Sequence, residues 1–201
     1  MDKRDFLFRF VSPSIRGQLL LDDEALYSTT DQLTANKIAK IVARVASENA
    51  VVTDATACIG GATLAFAHVF NRVNAIELDR TRYDYLRHNM DALGMLYKVR
   101  CIHGDAVDIC SQMYQDVVFL DPPWGGPEYK SMDKVSLYLS GNTLASVCKR
   151  IAHATKYIAI KVPTNFDEIA FLDEVRGTAS LIVRDTQLRK MHLLVLETHL
   201  K

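Results

Sequence analysis

From residue 50 onward, short apolar runs alternate with helix-like stretches, and several of the apolar runs end on an acid. Residues 50–54, 72–77, 98–102, 116–120 and 157–162 read as strands, and 63–70, 80–93 and 142–154 as helices. Val117, Val118, Phe119 and Leu120 are all apolar, as in a strand covered on both faces. Alternation of this kind requires right-handed crossovers and a mostly parallel sheet with helices on both sides. Residues 180–184 and 191–197 follow with little room for a crossover, so they predict a closing hairpin with at least one antiparallel strand. In open sheets of this class ligands bind beyond the carboxyl ends of the strands. Those ends carry Asp54, Glu77, Asp105 and Asp121.

Upstream, Thr29 and Gln32 have capping-box spacing, and Ile38, Ile41, Val42 and Val45 share one face of the helix that would follow. Residues 1–30 are read as an N-terminal arm and 31–201 as a single domain. Lys+Arg and Asp+Glu balance at 24 each, so the chain lacks the basic excess of a protein that grips long nucleic acid by its phosphates. Cys58, Cys101, Cys110 and Cys148 form no CxxC pair and no ligand cluster, which predicts free thiols and no metal. No run reaches the length of a membrane span, and the charged N-terminus is unlike a signal peptide. The expected setting is intracellular, cytoplasmic or nuclear, with no membrane partner.

Two constellations carry chemistry. The first runs from Asp54 to Gly60 and Gly61, a glycine pair between a strand and a helix. It either admits a ligand close to the backbone or makes a tight packing turn. Glu77, 23 residues after Asp54, can accept both hydroxyls of a ribose, with Asp79 a rival beyond the strand end. Asp105 is either an acceptor for an adenine amino group or a helix N-cap. A pyrophosphate suits such acidic strand ends poorly; S-adenosylmethionine, cationic and with one ribose and one adenine, suits them.

The second is Asp121-Pro122-Pro123-Trp124-Gly125-Gly126-Pro127-Glu128-Tyr129. Two prolines fix the backbone and remove two donors while their carbonyls remain acceptors. An aspartate, a rigid carbonyl and a flat aromatic together can hold an exocyclic amine on a planar base. The alternative is a rigid loop with a core tryptophan.

The Asp-Pro-Pro-aromatic string resembles the amino-methyltransferases, and Pro-Pro-Trp-Gly-Gly-Pro-x-Tyr is similar to one family among them, the trimethylguanosine synthases. The likeness runs from about Leu21 to the C-terminus. It takes in Tyr27-Ser28-Thr29-Thr30, Asp54 to Gly61, Ala75 to Asp79, Gly104-Asp105 and, more weakly, Val162 to Asn165. It implies a class I S-adenosylmethionine-dependent methyltransferase of α/β, Rossmann-like fold. The sheet would be mostly parallel and seven-stranded with a C-terminal antiparallel hairpin. The implied reaction is methylation of the exocyclic N2 of a 7-methylguanosine RNA cap. Thr29, Asp54, Gly60, Gly61, Glu77 and Asp105 would meet the cofactor. Asp121, Pro122 and Trp124 would serve catalysis, and Trp124, Pro123, Tyr129, Lys130 and Asn165 would meet the capped RNA. The chain departs from the family where serine usually stands at 121 and glycine at 58. Asp121 leaves a ribosomal guanine-N2 or an adenine-N6 enzyme as the alternative, and Cys58 leaves a silent cap-binding subunit.

Overall fold

The computed structural model describes residues 2–188 and 190–199 and divides into two compact units, Met1–Ala106 and Val107–Lys201.

In the first unit three short helices, α1 (Arg4–Leu7), α2 (Pro13–Arg16) and α3 (Ala25–Ser28), precede α4 (Gln32–Ala46). The Thr29–Gln32 capping box does not form. Asp31 is the N-cap instead, its carboxylate accepting from the amides of Leu33 and Thr34. Gln32 turns back to accept the Phe10 amide at 2.7 Å. The buried stripe of α4 is Ala35, Ile38, Ala39 and Val42, with Ile41 and Val45 at its half-buried margin. Strands β1 (Val51–Asp54), β2 (Arg72–Glu77) and β3 (Val99–His103) run parallel in the order β3-β2-β1, linked by α5 (Gly61–Val69) and α6 (Arg80–Ala92).

Helix α6 buries Leu86 and Met90, one turn apart, and Asn89 between them as well. The Asn89 amide oxygen accepts the Leu20 amide at 2.7 Å. Its nitrogen donates to the carbonyls of Leu20 at 2.9 Å and Ile59 at 3.0 Å. One fully buried side chain thus fastens the N-terminal segment to the loop after β1, and no polar atom of the amide is wasted.

The second unit carries β4 (Gln115–Leu120), β5 (Tyr138–Leu139), β6 (Asn142–Thr143), α8 (Leu144–Ile151), β7 (Thr155–Pro163), α9 (Glu168–Val175), β8 (Ala179–Asp185) and β9 (Met191–Thr198); α7 (Ala106–Gln112) leads into it. Its main strands lie in the order β4-β7-β9-β8. β4 and β7 are parallel, and β9 is antiparallel to both β7 and β8. The small antiparallel pair β5–β6 stands apart. Leaving it aside, the two units hold the seven strands the alternation predicts, mostly parallel with an antiparallel C-terminal hairpin. Among the described residues no helix is long and apolar enough to cross a membrane, and no group of three or more His, Cys, Asp or Glu is placed to hold a metal.

Candidate functional site

In the first unit the predicted residues gather at the carboxyl ends of β1, β2 and β3. Glu77 is the centre of the group. Its carboxylate accepts the Cys58 amide at 2.9 Å and the Asp79 amide at 2.8 Å, and Arg82 Nε lies 3.8 Å away. The side chain keeps 11% exposure, so an edge of it remains open to a ligand. Asp79 is the N-cap of α6, accepting from the Arg82 amide, which draws its carboxyl below the usual range. The strand-end acid and its rival therefore hold different posts. Asp105 follows Gly104, whose amide donates to the Glu77 carbonyl at 3.0 Å.

The glycine pair serves the protein's own packing. At Gly60, with φ +102°, a Cβ would come within 2.4 Å of the Met90 methyl. At Gly61 it would come within 2.5 Å of both the Thr29 methyl and the Thr30 carbonyl oxygen. Asp54, expected at the cofactor, is fully buried and accepts the Thr63 hydroxyl at 2.6 Å, so it shapes the turn from inside. Thr29 is also buried, its hydroxyl 3.6 Å from the Cys58 sulfur. Cys58 has φ +50°, which accounts for the glycine usual at that place. Burial pushes its thiol up to about 12, against the Thr29 hydrogen bond that pulls it down and with a smaller push from the Glu77 charge. It is therefore a packing group and no nucleophile at neutral pH.

Arg82 is a residue the sequence reading missed. Its guanidinium lies 2.8 Å from Glu24, 3.6 Å from Asp22 and 3.8 Å from both Glu77 and Asp79. It ties the segment before α4 to the end of β2. The one signal was its place in the first turn of α6, where an acid would suit the helix dipole better than a base.

In the second unit Asp121 and Pro122 follow β4, with Pro122 buried and Pro123 exposed. Trp124 is half-buried, and Tyr129 meets it edge-on, with ring centroids 5.2 Å apart and planes at 81°. Gly125 and Gly126, at φ +89° and +74°, turn the chain into the 3-10 segment Gly126–Ser131 that carries Tyr129. Lys130 is exposed, its ammonium 5.9 Å from the Tyr129 ring. Asn165, expected at the substrate, gives its amide hydrogens to the carbonyls of Tyr129 and Met132, both at 2.8 Å, and so holds this loop. Lys161, unforeseen, pairs with Asp121 and lies over the Trp124 ring, 5.3 Å from its centroid. A lone charge in the apolar run from Ile158 to Val162 was the sign of it. Among the described residues, the Trp124 indole nitrogen is the buried side-chain polar atom without a hydrogen-bond partner.

A mostly parallel sheet with this hairpin, acids closing β1 and β2, and an Asp-Pro-Pro-Trp loop after β4 define a class I methyltransferase. Solved structures bear out the fold. A methyltransferase from Geobacter sulfurreducens superposes with a TM-score of 0.62 at 16% identity, covering 93% of this chain and 90% of that one. A tRNA m1G37 methyltransferase from M. jannaschii gives 0.56 at 13% identity, covering 92% and 52%. The model of the RNA cap guanine-N2 methyltransferase family matches residues 49–193, and the chain belongs to that family. Trimethylguanosine synthase of Schizosaccharomyces pombe is 30% identical over 154 residues, 73% of this chain and 64% of its own length. An uncharacterised protein of Acanthamoeba polyphaga mimivirus is 28% identical over 220 residues, 96% of this chain and 84% of its own length. Family and fold make the chain a methyltransferase and imply S-adenosylmethionine as the methyl source.

The first unit suits that group. Asp22, Glu24, Glu77 and Asp79 set four carboxylates around one arginine, a surplus of negative charge that favours a cationic adenosyl ligand over an anionic dinucleotide.

Proposed function

We propose that this chain methylates the exocyclic N2 of a 7-methylguanosine cap on RNA. The observation that carries this reading is the loop after β4. An acceptor, Asp121, is followed by a proline pair and an indole braced edge-on by Tyr129, in a chain whose family is named for that reaction. When bound, S-adenosylmethionine supplies an electrophilic methyl on a cationic sulfur.

The protein's residues bind and orient. Glu77 and the turn it braces would receive the ribose, and Asp105 the adenine. Asp121 and the Pro122 carbonyl accept the hydrogens of the amine, directing its lone pair for in-line displacement. Orientation of that kind provides much of the rate in a two-reactant step. No strong base is required, because the proton leaves after the nitrogen has become cationic, and Asp121 would take it. Trp124 offers its ring to the base, and Lys130, being exposed, is available to a cap phosphate.

The test is mass spectrometry of methyl transfer to 7-methyl-GTP, GTP and an adenine-containing RNA. Transfer to 7-methyl-GTP alone is expected. Transfer to either of the others in preference would replace the cap reading. One observation favours a second reading, a ribosomal-RNA guanine-N2 or nucleic-acid adenine-N6 methyltransferase: an aspartate, Asp121, heads the motif where the family usually has serine.

A further inference from the structure

Lys161 is the one buried lysine among the described residues, at 6% exposure, and the mechanism above leaves it without a task. The register of the parallel strands explains where it lies. Leu120, the last residue of β4, pairs with Ile160 of β7, so Asp121, just past the end of β4, lies beside Lys161 within β7. The ammonium binds the Asp121 carboxylate and rests over the Trp124 ring. Four residues on, Asn165 grips the far end of the same loop through the Tyr129 and Met132 carbonyls. β7 and the turn behind it thus hold the loop that follows β4 near both ends, at Asp121 and at Tyr129 and Met132.

A buried ammonium is costly unless it has a partner, and a buried carboxylate likewise. The negative charge that replaces the family's usual serine is therefore matched by a positive one beside it. We propose that Lys161 is a positioning residue that holds the amine acceptor and the aromatic platform in one geometry. With Asp121 it forms a single neutral unit in the place of the usual hydroxyl. This rests on the reading of the loop as the amine-binding site.

Trp124 is the only tryptophan of the chain, so its emission reports on the loop directly. Lys161→Met is expected to change the emission of the ligand-free protein while the Kd for S-adenosylmethionine stays at the wild-type value. It should lower kcat on 7-methyl-GTP about tenfold or more, because it takes away the cation that balances the Asp121 carboxylate. Adding Asp121→Ser removes the charge that lost its counter-ion, and the double variant should regain about fivefold or more in kcat over Lys161→Met alone. Unchanged emission and kcat in Lys161→Met, or a double variant no better than the single, would overturn the proposal. If Lys161→Met does not fold, the neutral double variant should; a double variant that also fails to fold refutes the compensation. Wild-type protein inert toward 7-methyl-GTP would refute the cap reading alone. The emission change and the melting temperatures of the single and double variants would still judge the pair.

Discussion

Replacing Glu77 by Gln should destabilise the protein before any ligand is added. The carboxylate is the common acceptor of two backbone amides, Cys58 at 2.9 Å and Asp79 at 2.8 Å. Glutamine has the same shape but only one oxygen, so its NH2 group must face one of those two N–H donors. One hydrogen bond to a charged group is lost and the other becomes neutral. Bonds of the first kind contribute roughly 1.5–3 kcal/mol and of the second about 1 kcal/mol. With the side chain only 11% exposed, water repairs little of the loss. The sum is about 3 kcal/mol, or roughly 6–12 °C in Tm for a chain of this length. Differential scanning fluorimetry of the ligand-free protein measures the shift. Calorimetry on the same sample should find the affinity for S-adenosylmethionine down by about tenfold or more, since the turn proposed to receive it is no longer braced. A ligand-free Tm within about 1 °C of wild type would refute the bracing role, because a loss of ~3 kcal/mol cannot hide in so small a shift.

At position 58, Gly should be more stable than Ala in urea unfolding, by about 0.5–1 kcal/mol. The φ of +50° penalises any Cβ, whereas elsewhere Ala is favoured by a similar amount. Asn89→Ala strands the Leu20 amide and carbonyl and the Ile59 carbonyl, and should lower stability by about 2–4 kcal/mol in the same assay. With the Cys58 thiol pushed up to about 12, about one molecule in ten thousand carries a thiolate there at pH 8. Iodoacetamide labelling at that position should be correspondingly slow and rise about tenfold per pH unit, with Cys101, at about 11, labelled ahead of it in peptide mapping. Trp124→Ala should remove most of any preference for 7-methyl-GTP over GTP in kcat/KM, since a cation over an indole gains roughly 0.5–2 kcal/mol.

The strand ends were legible because burial on both faces writes an uninterrupted apolar run, as in Val117 to Leu120, and the acid that follows marks where the run leaves the sheet. The closing hairpin could be read because the chain between residues 180–184 and 191–197 is too short for a crossover. Its place in the sheet could not, since only pairing fixes β9 between β7 and β8. Helix α9 carries a weak stripe, with Phe171 and Val175 buried but Ile169 exposed, and its Asp167 cap is visible only once the helix is known. Asp31 displaced the Thr29–Gln32 capping box because its carboxylate reaches two amides of α4, while Gln32 is drawn away by the Phe10 amide. Asn89 and Lys161 stayed hidden for a shared reason. Each is a polar residue on an apolar stripe, and its partners are backbone or charge brought from elsewhere in its unit by the fold.

In each unit the candidate residues follow one rule: those that would touch ligand are first tied to the protein. Glu77 braces two turns, the glycine pair admits Met90 and the Thr29–Thr30 segment, Asp121 holds Lys161, and Asn165 holds the Tyr129 loop. A rigid arrangement of this kind lowers the ordering cost when a ligand arrives. It also means that lost activity in a variant at any of these positions does not by itself identify a ligand contact. Glu77→Gln and Lys161→Met illustrate the remedy, since each has a ligand-free readout, Tm in one case and Trp124 emission in the other. A residue that only contacts ligand leaves both readouts unchanged. A residue that shapes the site moves one of them before substrate or cofactor is present.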